Sequence, residues 1–251
     1  MANLYLIGNA NNKVYKMSGF TTTVLDSFTS KASGDERGVT WDGTNVYQGE
    51  DTNDKFYKMS GFSNSVTSSL SLTVPRMCTT DSDGNFWAQG HTGSWKAYKY
   101  SGFSVTLKDS FTIPAGGSGP RGLTADDTDL YTCEQDAGSS KFYKMSGFSN
   151  SVTTSMGTPN AQPNGISIDT SGNFYSLDLT SGKCYKHSGF TTTISDSFAS
   201  PDGTLWGMEW SERFPSAGPA TVKTVNDIAI ATVKTINDIP IATIKTWNDI
   251  A

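Results

Sequence analysis

One phrase recurs five times along the chain and limits what it can fold into: KVYKMSGF at 13–20, KFYKMSGF at 55–62, KAYKYSGF at 96–103, KFYKMSGF at 141–148 and KCYKHSGF at 183–190. The SGF triplets are spaced by 42, 41, 45 and 42 residues. A run rich in Ser, Thr and β-branched residues follows each copy, as in TTTVLDSFTS at 21–30, and favours an extended strand. Ahead of four copies lie RGVTWDGTNVYQGE (37–50), RMCTTDSDGNFWAQG (76–90), RGLTADDTDLYTCE (121–134) and NGISIDTSGNFYSLD (164–178). Each reads as a short strand, an Asp, a turn rich in Gly, Asn, Asp and Thr, and an aromatic strand, which is the pattern of a hairpin.

One repeat therefore holds four strands, A to D. Four strands in about 42 residues is the blade of a β-propeller, in which each twisted sheet packs its faces on its neighbours around an axis. The pattern leaves no place for helices. The chain opens in mid-repeat with a B strand (NLYLIG, 3–8), and the repeated region ends on an orphan A strand, LWGMEW at 205–210. Pairing the two completes a fifth blade and removes the open edges of an unclosed array. The expected fold is an all-β, five-bladed propeller over residues 1–210, a linker at 211–219, and a tail at 220–251.

PNGISIDTSGNFYSLD at 163–178 and DSDGNFWAQG at 81–90 resemble NHL-type propeller repeats. The resemblance is specific in those two blades and looser in the others. Propellers of this kind include scaffolds, binding modules and a few lyases and lactonases, so the resemblance implies an architecture and leaves function open.

The tail has a second period, of 11 residues: ATVKTVNDIAI (220–230), ATVKTINDIPI (231–241) and ATIKTWNDIA (242–251). An 11-residue period also suits a right-handed helical supercoil, but Val, Ile and Thr dominate and each unit carries Asn-Asp. Strands turning at Asn-Asp fit better, because both residues tolerate left-handed backbone. Antiparallel pairing then sets Val225 opposite Ile228, Ile236 opposite Ile239 and Trp247 opposite Ile250. Such a meander cannot bury its own apolar side chains and needs a partner surface. Either its own propeller supplies that surface, or a neighbouring copy does by strand addition. In the second case a head-to-tail contact that does not close generates a filament. The expected interface residues are Val222, Val225, Ile228, Val233, Ile236, Ile239, Ile244 and Trp247. The tail is similar to the tandem K-T-x-N-G-x-A units near the C-termini of some phage and bacterial surface proteins, with Asp here after Asn. That likeness implies an extracellular filament or cell surface, or alternatively a virion.

Signatures of catalysis are absent: GxSxG, HExxH, a Walker A loop and CxxC do not occur. No enzymatic activity and no cofactor or metal is expected. Arg37, Arg76 and Arg121 begin three of the A strands, nearest the axis, where they either ring one mouth and attract an anion or pair with carboxylates such as Asp35, Glu36 or Asp126. Pairing is the plainer expectation, because crowded Arg is normally neutralised. Asp42, Asp81, Asp126 and Asp169 recur at one position and read as turn caps. The tyrosines 15, 57, 98, 143 and 185 read as packing between blades. Trp41, Trp87, Trp95, Trp206 and Trp210 offer aromatic platforms, and five-bladed propellers include lectins. A glycan-binding propeller, with Trp95 on the ligand face beside the three arginines, is the competing expectation.

Composition closes off several partner classes. The net charge is −5, with Lys and Arg scattered singly, which gives no footprint for nucleic acid. No apolar run approaches the roughly 20 residues of a bilayer span, so membrane insertion is not expected. The N-terminus carries no visible signal peptide, so export would use another route or the sequence is a mature or incomplete form. Three Cys do not make a disulfide framework, two His do not make a recurrent metal site, and no N-x-S/T sequon occurs. The expected partner is therefore another copy of the chain, with glycans under the competing reading.

Overall fold

Each K-x-Y-K phrase forms a strand because its side chains alternate between the two faces of a blade, and the Ser-Gly-Phe after it reverses the chain. The glycines of the five SGF turns, Gly19, Gly61, Gly102, Gly147 and Gly189, have φ between +56° and +66°, a conformation in which a Cβ is strained. The following hydroxyl tightens the turn. Thr21 Oγ1, for example, donates to Ser18 O at 2.8 Å and accepts from Thr23 N at 3.2 Å, and Ser63, Ser104, Ser149 and Thr191 repeat the arrangement.

A computed structural model describes residues 2–31, 35–114, 119–126, 128–135 and 140–212, and beyond them 224–225, 228–229, 235–236 and 239–240. Contacts divide the chain into two compact units, Met1–Phe214 and Pro215–Ala251. The first is a five-bladed β-propeller built of four-stranded antiparallel sheets, with no helix among the described residues. Blade 1 combines β20 (Leu205–Trp210) with β1 (Asn3–Gly8), β2 (Lys13–Ser18) and β3 (Val24–Thr29). Blade 2 holds β4 (Glu36–Trp41), β5 (Asn45–Glu50), β6 (Lys55–Ser60) and β7 (Val66–Ser71). Blade 3 holds β8 (Cys78–Thr80), β9 (Phe86–His91), β10 (Trp95–Tyr100) and β11 (Leu107–Thr112). Blade 4 runs from β12 (Pro120–Ala125) through β13 (Asp129–Glu134) and β14 (Lys141–Ser146) to β15 (Val152–Gly157). Blade 5 runs from β16 (Pro163–Ile168) through β17 (Phe174–Asp178) and β18 (Lys183–His187) to β19 (Ile194–Ala199). The ring closes as the repeat arithmetic requires: β20 pairs with β1, Leu4 opposite Trp210 and Leu6 opposite Met208.

The phenylalanine of each SGF turn crosses to the preceding blade and meets the aromatic residue of its B strand. The pairs are Phe20 with Tyr175, Phe62 with Tyr5, Phe103 with Tyr47, Phe148 with Trp87 and Phe190 with Tyr131, at centroid distances of 5.3, 5.6, 5.1, 4.7 and 5.5 Å. One triplet thus supplies both the turn and the joint between blades, which accounts for its recurrence. Trp41 stacks on Tyr5 and Trp210 on Tyr175 at 5.2 and 4.7 Å, so these two tryptophans and the fully buried Trp87 belong to the packing.

In the second unit, β21 (Thr224–Val225) pairs with β22 (Ile228–Ala229) and β23 (Thr235–Ile236) with β24 (Ile239–Pro240), both antiparallel. Val225 stands opposite Ile228 and Ile236 opposite Ile239, the register of a two-residue Asn-Asp turn. Among the described residues these are two separate two-stranded sheets. Val222, Val233, Ile244 and Trp247 lie outside the described residues.

Candidate functional site at the axial mouth

The innermost strands share an irregularity. Pairing with the neighbouring B strand slips between Pro120 and Gly122, between Pro163 and Gly165, between Leu205 and Gly207, and between Glu36 and Val39. In blade 3 the same bulge appears as two residues opposite one: Arg76 N donates to Gln89 O, and Gln89 N donates to Met77 O. A bulge re-aims the extra side chain. The residues at this position are Arg37, Arg76, Arg121, Asn164 and Trp206, one per blade. Four of them precede a glycine, and all four of those glycines lie tight against the adjacent blade, with an added Cβ 2.8 Å from Ile166 Cγ1 at Gly122 and 2.8 Å from Met208 N at Gly165. At Gly38 an added Cβ would lie 2.8 Å from Arg76 O, and at Gly207 3.0 Å from Arg37 O.

Three of these side chains, Arg37, Arg121 and Trp206, meet at the axis. The Arg37 guanidinium lies 4.3 Å and that of Arg121 5.4 Å from the centre of the Trp206 ring. Arg121 belongs to blade 4 and Trp206 to blade 1, which are not neighbours in the ring, so this contact spans the channel mouth. Arg76 sits 5.1 Å from the ring of Trp95, whose indole also packs on His91 at 4.7 Å.

The arginines differ in how they are neutralised. Arg37 binds Asp51 Oδ2 through Nε and Nη2 at 3.2 and 2.9 Å and Asp35 Oδ1 at 3.1 Å. Glu36 is fully buried, and with the Asn12 amide oriented so that its nitrogen faces the carboxylate, Glu36 Oε1 accepts from it at 3.2 Å. Neither Arg76 nor Arg121 forms an ion pair among the described residues, and the Nε of each is buried without a hydrogen-bond partner. Burial, the neighbouring Arg121 and then Arg37 push Arg76 down to about 10. Arg121 is lowered by burial and by Arg37. Trp206 Nε1 and Asn164 Oδ1 are likewise buried and unpaired. The sequence expectation of carboxylate pairing therefore holds for Arg37 with Asp35, whereas Glu36 and Asp126 are engaged elsewhere. Three residues further along each innermost strand stand Thr40, Thr79, Thr124, Ser167 and Glu209, all fully buried.

The sequence reading singled out the three arginines and Trp95 and missed that Asn164 and Trp206 hold the equivalent position. The signal was available in the dipeptides Arg37-Gly38, Arg121-Gly122, Asn164-Gly165 and Trp206-Gly207, which align once the bulge is known.

The opposite face is occupied by turn chemistry. Asp42 accepts the amides of Thr44 and Asn45 at 2.8 and 2.6 Å and the Tyr47 hydroxyl at 2.5 Å. Asp81 takes the amides of Asp83 and Asn85 and the Trp87 indole N–H at 3.1, 2.8 and 3.0 Å. Asp126 and Asp169 do the same with Tyr131 and Tyr175 at 2.6 and 2.8 Å. Burial alone would raise the carboxyls of Asp42, Asp81 and Asp126, yet the donated hydrogen bonds outweigh it and hold these three below the ordinary carboxylate value. The four aspartates cap turns separately, and no group of three or more His, Cys, Asp or Glu suited to a metal occurs among the described residues. His187 is buried, pairs with Ser176 Oγ and Thr191 O, each at 3.0 Å, and is lowered by burial.

No protein-family profile and no curated protein matches the chain. Solved structures do. A chain of the nidogen/laminin complex is 12% identical with a TM-score of 0.59, covering 84% of this chain and 100% of that one. The chain is of the propeller type. A gluconolactonase from Xanthomonas campestris is 11% identical with a TM-score of 0.59, covering 82% and 74%. Glutaminyl cyclase from Myxococcus xanthus is 13% identical with a TM-score of 0.51, covering 70% and 89%. At such identities the likeness of this propeller to them is one of fold.

Proposed function

We propose that the protein is a structural subunit of an extracellular filament or fibre, in which the 11-residue repeats of one copy pair with the propeller of the next. The observation that carries this reading is the threefold repetition of an apolar, strand-forming unit outside a ring that already closes on itself. An open contact of this kind propagates, because donor and acceptor surfaces differ.

The outer strands are the natural acceptors. Each D strand begins with an exposed apolar residue, Val24, Val66, Leu107, Val152 and Ile194, between 38% and 51% exposed. The strands β7 and β15, VTSSLS and VTTSMG, contain no charged residue or proline, the features by which exposed edges usually avoid pairing. Electron microscopy and light scattering on the full chain beside residues 1–214 test the proposal. Filaments from the full chain and monomers from the shorter one are expected. Monomers from both would overturn it. A second reading, a ligand-binding propeller, is favoured by Arg76 and Arg121 of the axial mouth, which form no ion pair among the described residues.

A further inference from the structure

We propose that the axial mouth is an oxyanion-binding site, in which the guanidinium groups of Arg76 and Arg121 hold a carboxylate or phosphate group and the Trp206 indole N–H adds a neutral donor. The inference concerns the propeller alone and stands independently of assembly through the tail.

Three observations converge on it. A backbone bulge recurs in all five blades at the position from which Arg37, Arg121 and Trp206 meet at the axis. A device repeated five times for aiming a side chain needs no arginine for stability, since Asn164 and Trp206 hold the same place. Of the three guanidinium groups, Arg37 alone has carboxylate partners among the described residues, and it engages both Asp35 and Asp51. Buried cationic atoms are ordinarily paired; Arg76 and Arg121 are half-buried, yet the Nε of each is buried without a hydrogen-bond partner and neither arginine forms an ion pair among the described residues. Finally, all four orphaned polar atoms at this position, Arg76 Nε, Arg121 Nε, Trp206 Nε1 and Asn164 Oδ1, are buried. Three are donors and one is an acceptor. An oxyanion offers several lone pairs in the plane of a guanidinium fork, and a hydroxyl or protonated oxygen on the ligand meets Asn164 Oδ1.

The test is titration of the full chain with sodium phosphate and, separately, sodium citrate, at constant ionic strength set with sodium chloride, following tryptophan fluorescence and heat. Saturable binding of at least one is expected, weakened at least tenfold in Arg76→Gln and Arg121→Gln and retained in Lys16→Gln. Binding of phosphate alone assigns a phosphate site, and binding of citrate alone a carboxylate site. If both variants fail to fold, Arg121→Lys takes their place, since it keeps the charge and loses the fork; a tenfold weakening is again expected. No saturable response of the wild-type chain to either anion, or binding undiminished in the variants, overturns the proposal.

Discussion

Asp202 occupies the space that a side chain at residue 8 would need: a Cβ on Gly8 would lie 2.4 Å from Asp202 Oδ2 and 2.8 Å from its Cβ. In blades 2, 4 and 5 the position equivalent to Gly8 is Glu50, Glu134 or Asp178, and in two of them the carboxylate receives a tyrosine hydroxyl, Tyr57 on Glu50 at 2.8 Å and Tyr143 on Glu134 at 2.6 Å. In blade 1 the carboxylate arrives from the far end of the chain. Asp202 accepts from Tyr15 OH at 3.4 Å, Asn11 N at 3.0 Å and Thr204 N at 3.0 Å, and so fastens the closing strand to the first hairpin.

Gly8→Ala is expected to destabilise the propeller by about 1–3 kcal/mol through overpacking, and Asp202→Ala by about 1–3 kcal/mol through donors left unpaired. The double variant Gly8→Glu/Asp202→Gly returns the carboxylate to its position in blades 2 and 4. It should be more stable than the sum of Gly8→Glu alone and Asp202→Gly alone predicts, as measured by urea denaturation in a double-mutant cycle.

Acid should loosen the A–B turns. Because Asp42, Asp81 and Asp126 are lowered in the folded chain, the folded state binds their protons less readily than the unfolded one. Their contribution is complete above the unfolded value of about 3.9 and is lost as pH falls through the lower folded values. Melting temperature should therefore fall steeply below about pH 4. Asp81→Asn, which removes one titrating group, should melt lower at neutral pH and show a shallower acid slope; an unchanged slope would count against this account.

The three thiols should be silent in the native protein. Cys78, Cys133 and Cys184 are buried and unbridged, and burial raises the thiols of Cys133 and Cys184 well above their ordinary range. Thiolate is the reactive form. Reaction with an aromatic disulfide reagent should be negligible at pH 8 and reach three equivalents in denaturant, and fast labelling of the folded chain is the outcome that would refute the burial.

Two glycine substitutions separate backbone strain from packing. Neither Gly61 nor Gly157 has an atom within 4 Å of an added Cβ, but Gly61 has φ +60°. Gly61→Ala should cost about 1–2 kcal/mol, whereas Gly157→Ala should be neutral or add about 0.4–1 kcal/mol. Phe148→Ala, which unstacks Trp87, should cost about 2 kcal/mol or more. Chemical denaturation reads all three.

Much of the architecture is legible in the chain because a blade is a local object. Its four strands follow one another through short turns, and the residues that shape those turns, the Gly of SGF and the Asp of the A–B hairpin, act on neighbours within a few positions. The count of five and the closure through 205–210 follow from the same arithmetic. The candidate site was legible only in part. Arg37, Arg76 and Arg121 stand out by charge, but Asn164 and Trp206 do not resemble them and are equivalent only through a shared bulge.

Repetition and turn chemistry thus specify the strands and their order, since these depend on hydrogen bonds and patterning within about 45 residues, and the phase of the repeat, which opens on a B strand and ends on an A strand, specifies the closing of the ring. Contacts between distant blades are another matter. Asp202 meets Asn11 across 191 residues, and Arg121 meets Trp206 across the axis. Which carboxylate fills the gap at Gly8, and which arginine finds carboxylate partners among the described residues, depends on side chains that come together only once all five blades are assembled, because burial and charge compensation are properties of the closed ring.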